Sequence, residues 1–339
     1  MTFMSSAPSP VYKPVTVALV TGISGQDGSY LLERLLADGV EVHGMVRAGA
    51  ELPPEVRDAL PQIELHIGDM ADGRRLISLV REVAPDELYN LAGISSVAMS
   101  WREPALTGAV NGVAVAHLLE AAWQLQESVG RTVNFVQASS AEIFGQPTSS
   151  PQNECTPVVP TNPYGAAKAY AHHMVGIYRS RGLAASSCIL FNHESPRRPP
   201  AFVTRKITQA AARIARDSSG KITLGNLDVR RDWGWAPDYV DALVRAARQD
   251  GGNDFVIATG QAHSIAEFAA TALARVGITD FEPWVVSDPQ LVRPVDATEL
   301  VGDASKARRE LGWRPTVDFT DLVGAMVDHD LALLTASEN

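Results

Sequence analysis

One stretch decides the fold of this chain: Val17-Ala-Leu-Val-Thr-Gly-Ile-Ser-Gly-Gln-Asp-Gly-Ser-Tyr-Leu-Leu32. The residues before its first glycine are apolar or small and end in Thr21, which is typical of a buried parallel strand. Glycines follow in the spacing Gly-x-x-Gly-x-x-Gly, at Gly22, Gly25 and Gly28, and an apolar stripe at helical spacing comes next. A strand, a tight glycine turn and a helix N-terminus present backbone N–H groups and the positive end of the helix dipole to an anion. The stretch therefore predicts a dinucleotide-binding site.

Composition restricts the class of protein further. The chain has 339 residues, of which 45% are hydrophobic, and a formal net charge of −10. Its length allows one large domain with an appended lobe, or two domains. The acidic balance argues against general binding of nucleic acid or anionic membranes. We find no run that approaches the roughly 18–20 apolar residues needed to cross a bilayer.

The N-terminal segment and the cysteines bear on the cellular location of the protein. Residues 1–14 are rich in Ser and Pro and lack an apolar core, so we expect a flexible tail and not a signal peptide. Cys155 and Cys188 are the only cysteines, and neither has metal-ligand spacing around it. A disulfide scaffold is therefore not expected, and we predict a cytoplasmic protein.

Strand-like and helix-like segments alternate along the first half of the chain. After the first strand, further strands are predicted at 40–46, 63–69, 87–93 and 133–138, with helical stretches that include 72–83 and 104–124. This alternation predicts an α/β fold with a doubly wound parallel sheet, in a Rossmann-type dinucleotide-binding domain over residues 15–190. Residues 191–339 are expected to form mainly a smaller substrate-binding lobe that is interleaved with the first domain.

The end of the second predicted strand bears on the identity of the dinucleotide. Folds that bind NAD usually place an acid there, about 20 residues past the glycines, to bind the ribose 2′-hydroxyl. This chain has Arg47 instead, and an arginine can bind a 2′-phosphate, so we expect NADP. The alternative is a solvated surface arginine. Asp69, which ends the third predicted strand, is expected to meet the adenine edge.

The fifth predicted strand leads to residues that can carry acid–base chemistry. It runs into Ser139-Ser140-Ala-Glu142, and later comes Asn162-Pro-Tyr164-Gly-Ala-Ala-Lys168. The proline suits a helix start, which places Tyr164 and Lys168 one turn apart on the same face. A lysine beside a phenol favours the phenolate, so we expect a lowered pKa for Tyr164. Ser140 and Glu142 are two residues apart, and in an extended chain both side chains would point to one face.

These patterns resemble the extended short-chain dehydrogenase/reductase superfamily from about residue 15 to residue 335. Longer segments are similar to the GDP-mannose 4,6-dehydratase family, namely Gly25-Gln-Asp-Gly-Ser-Tyr30, Asn192-His-Glu-Ser-Pro-Arg-Arg198, Phe202-Val-Thr-Arg-Lys-Ile207, Leu224-Gly-Asn-Leu-Asp228 and Arg231-Asp-Trp-Gly234. Several of these segments carry basic residues in an acidic chain, which suits a negatively charged ligand such as a nucleotide diphosphate.

The resemblance implies a lyase that converts GDP-mannose to GDP-4-dehydro-6-deoxy-mannose and water, with NADP as a bound cofactor and no metal. The catalytic residues it implies are Ser140, Glu142, Tyr164 and Lys168. The implied cofactor contacts are Thr21, Gly22, Gly25, Gln26, Asp27, Gly28, Arg47, Asp69, Met70, Leu91, Ala92, Tyr164, Lys168, Asn192, His193 and Arg198. The implied substrate contacts are Ser95, Ser140, Glu142, Tyr164, Asn192, Val203, Lys206, Gly225, Asn226, Arg231, Arg293 and Asp296.

Other functions and assemblies stay open at this stage. A GDP-sugar reductase or epimerase of the same superfamily would need Tyr164 and Lys168 but no carboxylate at Glu142. A dehydratase of a related GDP-sugar, such as a GDP-heptose, would keep the whole set, whereas a non-catalytic dinucleotide sensor need not keep any of it. Extended members of the superfamily commonly pair through helices that flank the sheet, here 104–124 and 164–181, so a homodimer is expected, with a homotetramer as the alternative.

Overall fold

The structure, a computed structural model, describes residues 17–292 and 297–336. The tail predicted for residues 1–14 and the predicted contacts Arg293 and Asp296 lie outside the described residues. The strands are β1 (Val17–Thr21), β2 (Glu41–Val46), β3 (Ile63–Ile67), β4 (Glu87–Asn90), β5 (Asn134–Ala138), β6 (Ala184–Leu190), β7 (Asn192–Glu194), β8 (Ile222–Leu224), β9 (Arg230–Trp235), β10 (Asp254–Ile257), β11 (Ala262–Ser264), β12 (Val285–Ser287) and β13 (Glu299–Leu300). The helices are α1 (Gln26–Ala37), α2 (Pro54–Asp58), α3 (Gly73–Val83), α4 (Val97–Arg102), α5 (Pro104–Gly108), α6 (Ala114–Val129), α7 (Pro163–Ser180), α8 (Val203–Asp217), α9 (Ala236–Ala247), α10 (Ile265–Arg275), α11 (Ser305–Glu310) and α12 (Phe319–Ala336).

A seven-stranded sheet in the order β10-β6-β5-β4-β1-β2-β3 forms the centre of the molecule, and all of its strand pairs are parallel. This confirms the predicted doubly wound fold. The chain runs outward from β1 in both directions, so the order reverses between β1 and β4. In open α/β sheets ligands bind at such a point, beyond the carboxyl ends of the strands.

Both faces of this sheet are covered, because neighbouring residues of each strand point to opposite sides. Val20 of β1 packs into a core with the apolar residues of α1 and α9. Leu19, one position earlier, packs into the core on the other face, with α3, α6 and α7. The central strand β1 is therefore apolar from Val17 to Val20, which is why it could be located from the sequence.

The second half of the chain builds a smaller lobe and also returns to the main sheet. In the lobe, β9 pairs with β7, β11 and β13, β8 pairs with β12, and α8, α10 and α12 cover a separate apolar core. In contrast, β10 joins the edge of the main sheet beside β6. Asp232 of β9 connects the two parts, since its buried carboxylate accepts hydrogen bonds from the backbone N–H groups of Thr259, Gly260 and Gly302 at 2.8–3.2 Å.

The helical stretch predicted at 104–124 is longer than expected and consists of α5, a π-helical turn over residues 109–113, and α6. By length and composition alone, Pro104–Val129 would be able to cross a membrane, so the expectation that no run could do so is wrong by this measure. Half of its most apolar window is buried inside the protein, and core helices pass the same test. Its buried side, which includes Leu118 and Ala122, packs in the core that it shares with α3 and α7.

The glycine turn after β1 is packed so closely that its residues have no room for side chains. Gly22 has a φ of +73°, and a Cβ there would lie 2.8 Å from the backbone of Ala92. A Cβ on Gly28 would lie 2.2 Å from the carbonyl oxygen of Gly22. The first turn of α1 is thereby in direct contact with the end of β1, and this contact brings its N-terminus to the crevice between β1 and β4.

We expect Gly28→Ala to lower the free energy of unfolding by about 1–3 kcal/mol, the usual cost of overpacking a closely packed site. The matched control is Gly324→Ala in α12, where a Cβ would meet only the Arg275 side chain at 3.6 Å or more. Because alanine is the better helix former, that variant should be neutral or up to about 1 kcal/mol more stable. Denaturant unfolding of both variants measures the difference, and equal stability of the two would contradict the close packing at Gly28.

Candidate active site

The crevice between β1 and β4 begins with the N-terminus of α1. Gly25 is the N-cap residue and supplies no side-chain cap to the first-turn N–H groups, which is the arrangement that receives phosphate oxygens. The Thr21 hydroxyl donates to Asn90 Oδ1 at 2.7 Å and accepts from the backbone N–H of Ala92 at 3.2 Å. These bonds hold the ends of the two strands together, so Leu91 and Ala92 lie beside the glycine turn, as a shared cofactor site requires.

A cleft of about 550 Å³ lies past the carboxyl ends of β2 and β3. It is lined by Arg47, Ala48, Gly49, Ala50, Ile67, Gly68, Asp69, Asp72 and Arg75. Arg47 and Asp69, which were predicted separately to contact the cofactor, therefore line one cavity, and Met70 next to them is buried. Arg75 in the first turn of α3 was not predicted and adds a second guanidinium group to this cleft.

The start of α7 places the catalytic candidates. Asn162 is the N-cap: its Oδ1 accepts from the backbone N–H of Gly165 at 2.8 Å, and its Nδ2 donates to Glu142 Oε2 at 2.8 Å. The helix starts at Pro163, as predicted, with Tyr164 and Lys168 one turn apart. A single side chain thus starts the helix that carries Tyr164 and also holds the carboxylate of Glu142. Sequence reasoning missed this role of Asn162, although an asparagine before a proline is a common helix-start signal.

The segment that carries Ser140 and Glu142 is a tight turn, so the prediction of an extended chain is wrong here. Residues 141–144 form a 3₁₀ helix, and the Ser140 hydroxyl caps it by accepting from the backbone N–H of Glu142 at 3.2 Å. Both side chains still act on Tyr164, one through a hydrogen bond and the other through its charge. The turn therefore brings the three residues together, although not by the alternation of a strand. The adjacent Ser139 has a buried hydroxyl without a hydrogen-bond partner among the described residues.

The pKa of Tyr164 differs from the expectation. Burial raises this pKa to about 12. The negative charges of Glu142 and Asp27 also raise the pKa, whereas the hydrogen bond from Ser140 lowers it. Lys168 lies with its ammonium group 5.8 Å from the centre of the Tyr164 ring and donates to the Ala138 carbonyl at 2.7 Å. Burial lowers the pKa of Lys168 itself to about 8. The predicted lowering of the Tyr164 pKa is therefore wrong, because the cost of burying the phenolate is the largest influence on it.

A largely buried ion pair, with side chains 12% and 21% exposed, joins the second half of the chain to the first turn of α1. His193 Nε2 lies 2.8 Å from Asp27 Oδ2, His193 Nδ1 lies 2.7 Å from the carbonyl oxygen of Phe191, and the His193 ring stacks on Tyr239. Burial on its own raises the pKa of Asp27, but the charge and hydrogen bond of His193 bring it down to about 2. For His193, burial lowers the pKa, and Asp27 more than offsets this, so that it is raised. Gln26 also bonds to this segment, at the carbonyl of His193 and at the hydroxyl of Ser195.

Several predicted substrate contacts lie near β12, Leu291 or Ala297. Lys206, in α8 three residues after Val203, is exposed and donates to the Thr223 carbonyl of β8, and β8 pairs with β12. A Cβ on Gly225 would lie 2.7 Å from the carbonyl oxygen of Leu291, and the buried Arg231 donates to the carbonyl of Ala297 at 2.8 Å.

The remaining predicted contacts occupy several parts of the fold. Asn192 pairs with Trp233 in β9, two positions from Arg231. Asn226 caps its own loop by accepting from the N–H of Asp228, and Arg198 forms an ion pair with Glu194 at 3.0 Å. Ser95 is exposed in the loop between β4 and α4, and no described contact brings it to the other residues of the site.

The doubly wound sheet, the glycine turn and the Ser140–Tyr164–Lys168 group define an extended short-chain dehydrogenase/reductase with an appended lobe. Comparison with known proteins narrows this class. The chain belongs to the family described as GDP-mannose 4,6 dehydratase, whose sequence profile matches residues 19–326. It is 44% identical to GDP-mannose 4,6 dehydratase 2 of Arabidopsis thaliana, over 96% of this chain and 90% of that protein.

Solved structures share the same fold. The UDP-glucose 4-epimerase of Thermus thermophilus, in complex with NAD, superposes with a TM-score of 0.81 at 27% identity, over 93% of this chain and 99% of that one. The dTDP-glucose 4,6-dehydratase DesIV of Streptomyces venezuelae, with NAD bound, superposes with a TM-score of 0.79 at 26% identity, over 93% and 96% of the two chains. Both are nucleotide-sugar enzymes whose crystals contain a nicotinamide dinucleotide.

The Asp27–His193 pair makes a prediction about pH. The pKa of His193 is raised in the folded protein. Its contribution to the free energy of unfolding is therefore complete below its ordinary pKa of 6.5 and is lost as the pH rises through the folded value. The contribution of Asp27, whose pKa is about 2, is lost only on acidification below its ordinary 3.8. In nucleotide-free protein, His193→Asn should therefore lower the free energy of unfolding more at about pH 6 than at about pH 9, by about 1.4 kcal/mol for each unit of the raised pKa.

Urea unfolding at the two pH values gives this difference. The control is the same substitution in an Asp27→Asn background, where no carboxylate raises the pKa and the extra loss at low pH should disappear. If His193→Asn lowers the free energy of unfolding equally at both pH values in protein that retains Asp27, the charged pair is contradicted.

Proposed function

We propose that this protein is a GDP-mannose 4,6-dehydratase, which converts GDP-mannose to GDP-4-dehydro-6-deoxy-mannose and water. The single observation that carries the proposal is the position of Glu142, whose carboxylate is held by Asn162 beside Tyr164. Hydride transfer at carbon 4 needs a tyrosine and a lysine, but elimination of water also needs a group that removes the proton from carbon 5. Family membership and the 44% identity to a named GDP-mannose 4,6 dehydratase support the same function.

In the proposed reaction, Tyr164 accepts the proton of the hexose 4-hydroxyl, and Ser140 hydrogen-bonds the same oxygen. A nicotinamide dinucleotide, which the glycine turn after β1 and the N-terminus of α1 would hold, would supply the redox chemistry of hydride uptake and return. The ketone at carbon 4 makes the proton on carbon 5 acidic. Glu142 removes this proton and passes it to the leaving 6-hydroxyl, so that water departs, and a proton then returns to carbon 5.

The pKa of about 12 at Tyr164 sets a condition for this chemistry. Because this pKa lies above neutral pH, the phenol acts as a base only where a positive charge favours the phenolate. A nicotinamide dinucleotide would supply such a charge in its oxidised form. Lys168 adds its own positive charge from the next turn of α7.

We expect Glu142→Gln to reduce turnover of GDP-mannose by about 10²–10⁴-fold, the usual contribution of a positioned acid–base group, while GDP-mannose still binds. Turnover is measured by mass spectrometry and NMR of the product, and binding by calorimetry. In deuterated water the wild type should place solvent deuterium at carbon 5. Near-normal dehydration by Glu142→Gln would show that another group takes this proton.

Two further variants separate chemistry from folding in this experiment. Tyr164→Phe should abolish the first oxidation as well, whereas Glu142→Gln can still reach it. Asn162→Ser keeps an N-cap side chain for α7 but loses the amide donor to Glu142. Its free energy of unfolding should stay close to that of the wild type, while turnover falls by roughly 10–100-fold, as for the loss of one hydrogen bond to a charged group.

The alternative functions are distinguished by the same carboxylate. A GDP-sugar reductase or epimerase does not need Glu142, and a reductase also consumes added NADPH, which a dehydratase does not. A GDP-heptose dehydratase would use the same residues. Comparing the turnover of GDP-mannose with that of a GDP-heptose decides between these two substrates. The bond between Asn162 and Glu142 favours dehydration over simple redox chemistry.

We further propose that the nicotinamide cofactor is NADP. Arg47 and Arg75 line the same cleft at the ends of β2 and β3, where the adenosine ribose of a dinucleotide lies in this fold class. Two guanidinium groups there suit a 2′-phosphate better than a free 2′-hydroxyl. The fold neighbours named above contain NAD, so the choice between the two cofactors depends on these arginines.

Arg47→Asp should narrow or reverse the preference of the protein for NADP over NAD, because a carboxylate repels the 2′-phosphate and accepts a hydrogen bond from a 2′-hydroxyl. Calorimetric titration of wild type and variant with NADP and with NAD measures the change. Loss of one charge-assisted bond corresponds to a drop in NADP affinity of roughly ten- to a hundredfold. Equal affinity of the wild type for both cofactors would refute the assignment.

We also propose a homodimer that forms through α5, α6 and α7. Five large apolar side chains are exposed on these helices and on the π-helical turn between α5 and α6: Leu106, Val113, Val129, Tyr170 and Ile177. Tyr170 of α7 lies against Gly112, so the helices present one continuous surface. This surface is the exposed half of the apolar stretch Pro104–Val129 together with one side of α7. A homotetramer is the alternative.

Light scattering at micromolar concentration should give twice the chain mass of 36.3 kDa. Ile177→Glu should shift the protein toward the monomer, because it buries a charge in the interface. Leu333→Glu is the matched control, since Leu333 is equally exposed but lies on α12. A wild-type monomer would overturn the proposed dimer, and so would a dimer that is unaffected by Ile177→Glu.

Finally, we propose the cytoplasmic location expected from the sequence. Cys155 is exposed and Cys188 is buried, and both are free thiols. Burial raises the pKa of the Cys188 thiol far above its ordinary value, which makes it unreactive. Two unpaired thiols are ordinary in a reducing compartment.

A further inference from the structure

A cluster of two histidines and two glutamates lies on β2 and β3, away from the catalytic residues. In the parallel register His43 stands opposite Glu64, and Met45 stands opposite His66. Residues two apart on a strand share a face, so these side chains lie on the side where Met45 packs, which is the side covered by α3. Glu41, two residues before His43, shares this side. The proposed reaction uses none of the four.

The distances within this cluster are short. His43 Nδ1 lies 2.9 Å from His66 Nε2, and carboxylate oxygens of Glu64 lie 3.8 Å from the former and 3.7 Å from the latter. The Glu64 distances are to different oxygens, Oε2 toward His43 and Oε1 toward His66, and one ligand atom from each of the three residues lies within 4.8 Å of the others. In a tetrahedral zinc site with bonds of about 2.0–2.1 Å, neighbouring ligand atoms are about 3.3 Å apart. Shifts of a few tenths of an ångström would bring these atoms to that spacing.

The fourth residue occupies the position of an outer partner. Glu41 Oε1 lies 3.0 Å from His43 Nε2, the ring nitrogen that does not face the cluster. A histidine that binds a metal through one nitrogen usually donates its other N–H to a carboxylate, which orients the ring and selects the tautomer. Glu41 and His43 are already in this arrangement, and Nδ1 of His43, now at hydrogen-bond distance from His66 Nε2, is the nitrogen that would bind the ion.

Access and charge also suit a cation. The two histidine side chains are 10% and 12% exposed, whereas the Glu64 side chain is 67% exposed, so the cluster opens to solvent on the glutamate side. The nearby Arg75 is paired with Glu82 at 2.9 Å. Among the described residues, neither Glu41 nor Glu64 contacts an arginine or a lysine. The local charge is therefore negative.

We propose that His43, His66 and Glu64 bind one divalent transition-metal ion of the zinc type, with Glu41 as the outer partner of His43 and a water as the fourth ligand. Two histidines and a carboxylate suit zinc by ligand type and number. The ion would join the edge strand β3 to β2. It would thereby stabilise the strand that leads into Gly68 and Asp69, which line the cleft at the carboxyl ends of these strands.

The test uses the untagged full chain after removal of metals with a chelator. Calorimetric titration with Zn²⁺ should show one site per chain, and addition of Co²⁺ should give the visible absorption of a tetrahedral complex. The midpoint of thermal unfolding should rise when Zn²⁺ is added, because the ion binds only the folded site. Glu41→Gln should weaken binding by about 10–100-fold, the usual effect of losing an outer partner.

Ligand variants and a matched control make this test specific. Glu64→Gln and His66→Gln should weaken Zn²⁺ binding at least as much as Glu41→Gln, and Glu64→Gln changes an exposed side chain, so its fold should be unaffected. Glu310→Gln, at an exposed glutamate of α11, should bind Zn²⁺ like the wild type. The proposal is overturned if the wild type shows no saturable site, or if Glu64→Gln and His66→Gln both bind Zn²⁺ as tightly as Glu310→Gln does.

Discussion

The structure depends on the close approach of α1 to the end of β1. The carbonyl oxygen of Gly22 lies so near Gly28 that no side chain fits between them, and Gly22 in turn lies against the backbone of Ala92. This contact places the helix N-terminus at the point where the strand order of the sheet reverses. Everything that a nucleotide ligand would meet is arranged around that point, because α1, β1 and β4 cannot move independently there.

The second half of the chain is attached at the same place. The buried pair of Asp27 and His193, together with the bonds of Gln26, holds residues 193–195 on the first turn of α1. A buried ion pair costs desolvation, which attraction offsets only when the geometry is good and hydrogen bonds complete it. Both conditions hold here, since His193 also bonds to a backbone carbonyl. One pair therefore couples the lobe to the dinucleotide turn.

In the catalytic group, burial and charge act against each other. Burial raises the pKa of Tyr164 and lowers that of Lys168, so both residues are held toward their neutral forms in the absence of ligands. A site of this kind responds strongly to any charge that a ligand brings, because little solvent is present to screen it. Asn162 adds order to the group, since it holds Glu142 and starts α7 with one side chain.

The sequence by itself determined the parallel sheet, the glycine turn and the helix start before Tyr164, because each depends on local periodicity or on a turn residue. It also carried the family motifs that point to Ser140, Glu142, Tyr164 and Lys168. The tertiary structure decided what burial and distant partners control. It turned residues 141–144 into a 3₁₀ helix, raised the pKa of Tyr164 and paired Asp27 with His193, which lie 166 residues apart in the sequence.

The same reason explains the cluster on β2 and β3. His43 and His66 are 23 residues apart in the sequence, with α2 between their strands, so no spacing pattern connects them, and only the register of two parallel strands brings their rings together. Short-range patterns specify elements, whereas pairwise distances between elements follow from how those elements pack.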